Sequence, residues 1–513
     1  MNSIVPESAL PGASETQIRG ARWLAVTAIV IVFASFLVMT SFGVVMRMNQ
    51  GRWLSLDPSF FYSILTLHGL MQVGALFAGS LYGVWFVLVR HAGIRANTGF
   101  MWLMLLATMV GMLGIVIGTL VGRYAPGWYM LYPIEFSLPT WQMWAMAMVT
   151  SALLLLGLVW TGIMLSLLHS MGRRYGYGNL FGLQYLGREK PSEELPPIIL
   201  ITTVIAIAAI LGMLSGAAFL IMLLIEWINP AVHFNVLMEK NVVFFFGHTI
   251  ANVTLYFVVG IMYEMMPRFT GRPWKCNRVI VYSWLATLVM VVGVFSHHLY
   301  MDFAQPVWAE YVGQILSYAS AIPATVVTVF GLIAQVYRLG VKRWKFVPAT
   351  FALGTVGWVT GGFAAVVDST ISNNLVLHNT LWVNAHFHTY YLEGVFVWLL
   401  GVGFYLVGSR AERLAKSALA IMVVTGYGFL TMFYLAGVFS VPRRYADYTT
   451  TGFANHILAD HGAWTAEAGA VLMTLFLLGY LVYLASLGFT GRDSIAEPDS
   501  TLGWFASPQA APD

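Results

Sequence analysis

The chain has 513 residues, of which 59% are hydrophobic and 9% are charged, whereas soluble domains carry about 25% charged residues. Its one cysteine, Cys276, excludes a disulfide framework, a cysteine-ligated iron–sulfur cluster and a copper centre built from paired cysteines. Hydrophobic runs of about 20 or more residues follow one another without a long polar break. The composition therefore predicts an all-α integral membrane protein without a soluble module.

Twelve membrane spans are predicted from these runs. They cover 22–47, 59–90, 99–121, 140–169, 196–226, 242–266, 279–301, 309–337, 347–368, 379–408, 417–438 and 464–488. We expect a cytoplasmic amino-terminal tail at 1–21, a catalytic membrane domain at 22–488 and a cytoplasmic carboxy-terminal tail at 489–513. The amino-terminal residues lack the short apolar core and cleavage site of a signal peptide, so the first span is expected to be retained.

The basic residues give the predicted orientation. With the amino terminus inside the cell, the inward segments hold 20 of the 26 basic residues, and the outward loops hold the other six. This asymmetry predicts a multi-pass protein of the cell's inner (plasma) membrane with both termini in the cytoplasm. Because the lipid topology accounts for the basic excess, nucleic acid is not expected as a partner.

The stretch LHNTLWVNAHFHTYYLEG, residues 377–394, places His386 and His388 two positions apart inside the tenth span. Each helical residue turns the chain by about 100°, so the two side chains face nearly opposite sides of the helix. Ionisable side chains at membrane depth are costly and mark functional sites. We therefore expect each histidine to hold a different metal, with this helix lying between two hemes.

Four further histidines are predicted at the same depth, roughly 10 to 15 Å below the outer surface at 1.5 Å per residue. They are His68 in the second span, His248 in the sixth, and His297 and His298 at the end of the seventh. Imidazole is the common ligand of heme iron, copper and non-heme iron. Two histidines can clamp one heme, a third can hold a second heme with an open face, and three can hold another metal. The alternative, histidines that are simply hydrogen-bonded within a helix bundle, does not account for the shared depth.

In combination, the phrases GHTIAN, SHHLY, NAHFH and SVPRRYADY resemble subunit I of the heme-copper oxidase and nitric oxide reductase superfamily, and the resemblance covers roughly residues 20–488. It implies a twelve-helix bundle and three ligand sets. These are His68 and His388 for a low-spin heme, His386 for a high-spin heme, and His248, His297 and His298 for a second metal. It also implies that Arg443 and Arg444 bind heme propionates, which agrees with the bidentate pairing of guanidinium and carboxylate groups. A solvated loop is the alternative for these arginines.

The sequence departs from the oxygen-reducing members it resembles. Those members begin the sixth span with His-Pro-Glu-Val-Tyr, and the tyrosine is cross-linked to the histidine and supplies an electron and a proton. Here Ile250 replaces the acid and Asn252 replaces the tyrosine. The lysine of one proton path falls on Val327, and the loop HAGIRANTGF lacks the aspartate that opens the other path. Nitric oxide reductases of the superfamily likewise lack the tyrosine, although they usually place a carboxylate at that position.

These departures favour a nitric oxide reductase that converts two NO molecules to N₂O and water, because that reaction needs two electrons, two protons and no tyrosyl radical. One helical turn beyond its histidine, Asn252 can hydrogen-bond a bound gas molecule, or it can be a contact between helices. Three imidazoles without an anionic oxygen favour copper over non-heme iron as the second metal. The alternative is a terminal oxygen reductase in which Tyr300, Tyr390 or Tyr391 replaces the missing tyrosine.

Glu393, five residues beyond His388, is the first candidate for a proton donor, and an acid hydrogen-bonded to a neighbouring helix is the alternative. The other intramembrane acids are Glu226, Glu264, Glu310 and Asp368. The chain has no Cys-x-x-Cys-His site, so we expect electrons from a partner subunit with a copper or heme c centre, or from a quinol. Turnover is expected to move little or no charge across the membrane. A transporter or heme-transfer protein would show similar hydropathy, but the signal of broken helices is weak.

Overall fold

The computed structural model describes residues 13–489 apart from 96, 132–133, 138–140, 188–190, 192, 303–304, 338, 341–343 and 449–455. Within these residues, twelve helices are long and apolar enough to cross a membrane. They are α1 (Glu15–Gln50), α2 (Pro58–His91), α3 (Thr98–Val121), α4 (Met143–Tyr175), α5 (Pro197–Ile228), α6 (Val236–Thr270), α7 (Arg278–Leu299), α8 (Val307–Val336), α9 (Phe346–Asp368), α10 (Leu381–Val407), α11 (Glu412–Val438) and α12 (Leu458–Leu487).

The twelve predicted spans are confirmed, and several extend beyond their predicted ends. The first helix begins at Glu15 because Ser14 caps it: the Ser14 hydroxyl accepts from the Gln17 amide, and the Gln17 side chain accepts from the Ser14 amide. The sixth helix begins at Val236, with the Asn235 side chain accepting from the amide of the third residue. The predicted carboxy-terminal tail lies almost wholly outside the described residues.

The helices α2 and α10 form the centre of the bundle. In each, 83% of the most apolar window is buried, against 22% in α8. These two central helices carry His68, His386 and His388. The predicted ligands of both hemes thus lie on the two helices best shielded from lipid and water.

Two of the histidine-bearing helices are irregular where the histidines lie. The seventh helix ends in a tight 3₁₀ turn, Phe295–Leu299, which contains His297 and His298. The tenth changes from α to π geometry at Thr389–Phe396, directly after His388. Such wide turns inside a helix are rare and are frequent at functional sites. The local backbone geometry, and not only the spacing, therefore sets where these side chains point.

Because each helix crosses the bundle, every second loop lies at the same face. We call the face that contains residues 439–448 the Arg443 face. This loop is held to the start of α10, since the Leu381 amide donates to the Val441 carbonyl and the Arg443 amide to the Asn379 carbonyl, both at 2.9 Å. The face at the other ends of the helices is called the opposite face. The charge pattern predicts that the opposite face is the cytoplasmic one, and this orientation stays a prediction.

Candidate heme and metal sites

His68 of α2 and His388 of α10 face each other across a gap of the size of one metal ion. Their ring centres are 6.1 Å apart and the rings are 18° from parallel. A metal–nitrogen bond of about 2 Å on each side, with about 1 Å from each nitrogen to its ring centre, gives about 6 Å. Each Nδ1 lies 2.8 Å from a backbone carbonyl, that of Met39 for His68 and that of Asn384 for His388. With Nδ1–H donating there, Nε2 keeps the lone pair that binds a metal.

His386 points to the other side of α10. Its Nδ1 lies 3.2 Å from the Gly361 carbonyl of α9, which again leaves Nε2 as the free ligand atom. It is within electrostatic range of His297 and His298, whereas His388 interacts with His68. The two histidines therefore serve two separate groups of side chains, as the spacing of two residues predicts.

His248, His297 and His298 bring one ring nitrogen each to within 4.8 Å of one another. The closest pair, His248 Nδ1 and His298 Nε2, is 3.2 Å apart. A metal with nitrogen ligands at about 2 Å needs them roughly 3–4 Å apart, so a small contraction completes the site. His297 Nδ1 lies 2.8 Å from the Ser317 hydroxyl, which donates in turn to the Gly313 carbonyl at 2.6 Å. These hydrogen bonds fix the His297 ring with Nε2 free.

Asn252 lies one helical turn beyond His248, at the side of the ring away from His298. Its amide nitrogen donates to the His248 carbonyl at 2.8 Å and lies 3.4 Å from His248 Nε2. The amide therefore supports the ligand's own backbone and ring. Its predicted contact with a bound gas molecule is a role that these hydrogen bonds do not test.

Three buried donors near the Arg443 face have no hydrogen-bond partner among the described residues: Arg47 Nε, Trp382 Nε1 and Arg443 Nε. Burial, followed by the neighbouring Arg444, lowers the pKa of Arg443 to about 9, and Asp368 and Tyr129 oppose this shift. Buried polar groups are normally paired. Unpaired N–H groups and a destabilised cation fit the carboxylates and polar edge of a porphyrin.

Glu393 lies in the π-helical part of α10 and is 1% exposed. Its Oε1 has no hydrogen-bond partner among the described residues. The other predicted acids differ from it: Glu264 pairs with Arg268 at 2.8 Å, and Glu226 accepts from the Phe234 amide at 2.8 Å. Glu393 Oε1 thus has no donor among the described residues, and the role of Glu393 as a proton donor stays a prediction.

The three tyrosines that could replace the missing phenol lie in different places. Tyr391 reaches from α10 to α6, and its hydroxyl donates to the Ala251 carbonyl at 3.3 Å. Tyr390 packs its ring edge-on against His386, with centres 5.1 Å apart. Tyr300 is buried beside Gly313 of α8. Tyr391 is thus the phenol that reaches the segment between His248 and Asn252.

A second set of hydroxyl groups lies between α6 and α8, towards the opposite face. Val327 occupies the place of the proton-path lysine in the sequences that this chain resembles. The next residue is Thr328, and its hydroxyl lies 3.0 Å from the hydroxyl of Tyr263. Nearer the opposite face, the Thr270 hydroxyl lies 2.5 Å from Gln335 Oε1. The loss of the lysine therefore leaves polar groups between these two helices.

Sequence reasoning missed three residues. Arg47, at the predicted end of the first span, is 4% exposed, lies 4.9 Å over the Phe433 ring and interacts electrostatically with His388. Ser317 is the hydrogen-bond partner of His297. Glu239 is fully buried in the first turn of α6, before the predicted start of that span. An arginine inside an apolar run was the signal available for Arg47.

The geometry defines a class: a membrane helix bundle with one bis-histidine pair, one separate histidine and one three-histidine cluster at the same end. A sequence profile of cytochrome c and quinol oxidase polypeptide I matches residues 23–490. The chain therefore belongs to this family, the subunit I family of the heme-copper oxidases, and is an oxidoreductase of that family. The predicted family and fold are confirmed.

Relatives named for oxidases match over different lengths. Cytochrome c oxidase subunit 1 of Thermus thermophilus is 24% identical over 81% of this chain and 76% of its own length. Cytochrome c oxidase polypeptide 1 of Halobacterium salinarum is 29% identical over 57% of this chain, and ubiquinol oxidase subunit 1 of Acetobacter aceti is 27% identical over 50%. These two matches span 48% and 38% of the relatives' own lengths. The three names are those of oxidases, and none of them indicates nitric oxide reduction.

A solved structure described as a heme-copper terminal oxidase dimer has the same fold. It superposes with a TM-score of 0.77 over 92% of this chain and 84% of its own, at 19% sequence identity. The similarity supports the arrangement of the twelve helices.

Proposed function

We propose that this chain is the catalytic subunit of a terminal oxygen reductase, which reduces O₂ to water with electrons from outside the chain. The observation that carries the proposal is the family match along residues 23–490, together with relatives named for cytochrome c or ubiquinol oxidation. The placement of six histidines in three sets supports it. The relatives thus favour oxygen as the substrate, whereas the departures in the sequence favour nitric oxide.

In this proposal, His68 and His388 hold a heme from both sides, and His386 holds a second heme from one side. The hemes and the metal supply the electron transfer and the binding of the gas. The chain's own contribution is positioning: the carbonyls of Met39, Asn384 and Gly361 accept from the three Nδ1–H groups and fix the rings. Because His68 and His388 would hold the first heme from both sides, the gas would bind at the heme that His386 alone would hold.

His248, His297 and His298 hold the second metal in the proposal, and copper suits them best. Among the described residues, this cluster consists of three imidazoles and includes no carboxylate. Neutral nitrogen ligands without a hard anionic oxygen favour copper over non-heme iron. Arg443 and Arg444 provide cationic charge beside the predicted hemes.

The electrons come from a partner in this proposal. The single cysteine, Cys276, lies in the loop after α6 and is buried, so the chain has no cysteine pair that could bind copper. The names of the relatives point to cytochrome c or a quinol as the donor class. A partner subunit with a copper or heme c centre, or a bound quinol, would fill this role.

Nitric oxide reduction is the second candidate, and one observation favours it. Asn252 occupies the place beside His248 where oxygen-reducing members have a cross-linked tyrosine, and an amide cannot supply an electron. Oxygen reduction would then require a phenol from elsewhere. Tyr391, hydrogen-bonded to Ala251, is the best placed of the three tyrosines considered.

The experiment is turnover of the purified protein with O₂ and, separately, with NO, each with a chemical reductant. Oxygen reduction predicts fast consumption of O₂ with negligible N₂O from NO. Fast N₂O formation with slow O₂ consumption would replace the proposal with the second candidate. The variant N252Y then tests whether this position selects the gas, and Y391F tests whether the oxygen reaction depends on the phenol of α10.

A further inference from the structure

Glu393 is enclosed by three helices that approach it closely. An added Cβ at Gly426 of α11 would overlap with Glu393 Oε1, and one at Gly357 of α9 would overlap with the Glu393 carbonyl group. The wide π turn of α10 brings the carboxyl group into this gap. Only residues without a side chain leave room here, so the packing accommodates a carboxyl group for which the described residues provide no hydrogen bond to Oε1.

Polar side chains lead from Glu393 towards the Arg443 face between α9, α10 and α11. Tyr427 interacts electrostatically with Glu393. Tyr434 lies seven residues, or about two turns, further along α11 and so on the same side of that helix. The hydroxyl groups of Tyr434 and Thr389 are 3.0 Å apart. Asp368, at the end of α9, is within electrostatic range of Tyr434 and of Arg443. We call these five side chains, Asp368, Thr389, Tyr434, Tyr427 and Glu393, the polar column.

Aromatic rings close the space between Glu393 and the opposite face. Phe36 and Phe396 are stacked with their centres 3.5 Å apart, and Phe476 lies 6.1 Å from Phe396. Phe476 also lies next to Gly426, at the level of the carboxyl group. Two threonines beyond this layer, Thr350 and Thr355, donate to carbonyls of their own helix. Thr389 likewise donates to a carbonyl of its own helix, that of Ala385 at 2.7 Å, so the aromatic layer, and not these hydrogen bonds, distinguishes the two sides of Glu393.

We propose that Glu393 exchanges protons with the Arg443 face through the polar column and not with the opposite face. The inference rests on the proposed function in that reduction of either gas consumes protons. The hydroxyl groups of Tyr427, Tyr434 and Thr389 can each accept and donate a hydrogen bond, and water can bridge the gaps between levels. Asp368, half-buried with Oδ1 unpaired among the described residues, is the entry group.

The test compares two phenol groups that have the same contact with a threonine hydroxyl. The Tyr434 and Tyr263 hydroxyls each lie 3.0 Å from a threonine hydroxyl, but Tyr263 belongs to the separate set between α6 and α8. Infrared spectroscopy of the heme-loaded protein in D₂O measures hydrogen exchange at the Glu393 carboxyl group, whose band is assigned by its loss in E393Q. We expect Y434F to slow this exchange at least about 10-fold, which is less than the roughly 100-fold or more of a positioned proton-transfer group because water can bridge the gap, and Y263F to leave it unchanged.

Equal exchange in Y434F and the unaltered protein, or slow exchange in Y263F instead, would overturn the proposal. If Y434F does not retain both hemes, D368N serves in its place, since it changes the entry group at the end of α9. Severalfold slower exchange in D368N supports the polar column, and unchanged exchange contradicts it. Because this measurement needs no gas, a wrong choice of O₂ or NO does not affect it.

The sidedness is measured in oriented vesicles with an impermeant pH indicator. A pulse of O₂, or of NO if that is the substrate, is given to the reduced protein. We expect alkalinisation at the Arg443 face that Y434F slows and Y263F does not. Alkalinisation confined to the opposite face would contradict the inference.

Discussion

Buried polar groups are hydrogen-bonded near one end of α10, and some are unpaired in the rest of the helix. Near the opposite face, Trp398 Nε1 donates to the Phe351 carbonyl at 2.9 Å, and the Tyr405 hydroxyl lies 3.1 Å from His91 Nε2. Trp382 Nε1 near the Arg443 face and Glu393 Oε1 in the middle of α10 have no partner among the described residues. Since buried polar groups are normally paired, this difference fits the proposal that a cofactor or a proton completes the structure at Trp382 and Glu393.

Removing a histidine at each end gives the largest contrast. H388A removes one of the two rings that face each other at 6.1 Å, so we expect one heme per chain instead of two. Turnover with an external donor should fall by more than about 100-fold, because even the hydrogen-bond partners of metal ligands are worth roughly 10- to 100-fold. Heme content by pyridine hemochrome and donor-driven turnover are the measurements.

The control is H91A, which removes a histidine that is already hydrogen-bonded within the chain. It should retain two hemes. Loss of a heme in H91A, or two hemes in H388A, would break the distinction between the two ends.

The second-metal site is sensitive to a hydroxyl group that only positions a ligand. Without the Ser317 hydroxyl, the His297 ring loses the partner that fixes it, so S317A should bind the metal roughly 10- to 100-fold more weakly. Metal content after dialysis against graded chelator concentrations measures this. The matched variant S320A removes a hydroxyl that donates to the Ser317 carbonyl, and it should bind the metal normally. Equal losses in both variants would assign the effect to the packing of α8.

A substitution at the contact between α9 and Glu393 tests the packing in the middle of α10. A Cβ at Gly357 would overlap with the Glu393 carbonyl group, so G357A should destabilise the protein by about 1–3 kcal/mol. Thermal denaturation followed by the heme absorption is the measurement. At Gly157 nothing lies within 4 Å of an added Cβ, so G157A should be neutral or stabilise α4 slightly. A neutral G357A would mean that α9 packs less closely on α10.

The smallest expected effect is the pH dependence from His378, which lies between α9 and α10. Burial, followed by Arg443, lowers its pKa to about 4, so the folded protein holds it neutral. Unfolded histidine titrates near about 6.5, and stability is therefore lost as the pH falls from about 6.5 towards 4. H378N should reduce that loss by roughly 2 °C in Tm. An identical pH profile for H378N would show that His378 is protonated without cost in the folded protein.

The spans and the level of the histidines could be predicted from sequence because apolar length and ligand spacing are local properties. The spacing of His386 and His388 likewise predicts that they serve different groups. Local patterns do not show which distant carbonyl accepts from a ring, so the contact of His386 with Gly361 was not predicted. Nor does spacing show that Glu393 lies in a π turn between two glycines. The substrate gas depends on the surroundings of Asn252 and Tyr391, which come from two separate helices.

The central claim is that six histidines hold two hemes and one further metal, and the heme and metal content of the purified protein tests it most directly. We predict two hemes and one copper per chain, with H297A losing the copper and keeping both hemes. Fewer than two hemes per chain, or two hemes with no third metal in the unaltered protein, would contradict it.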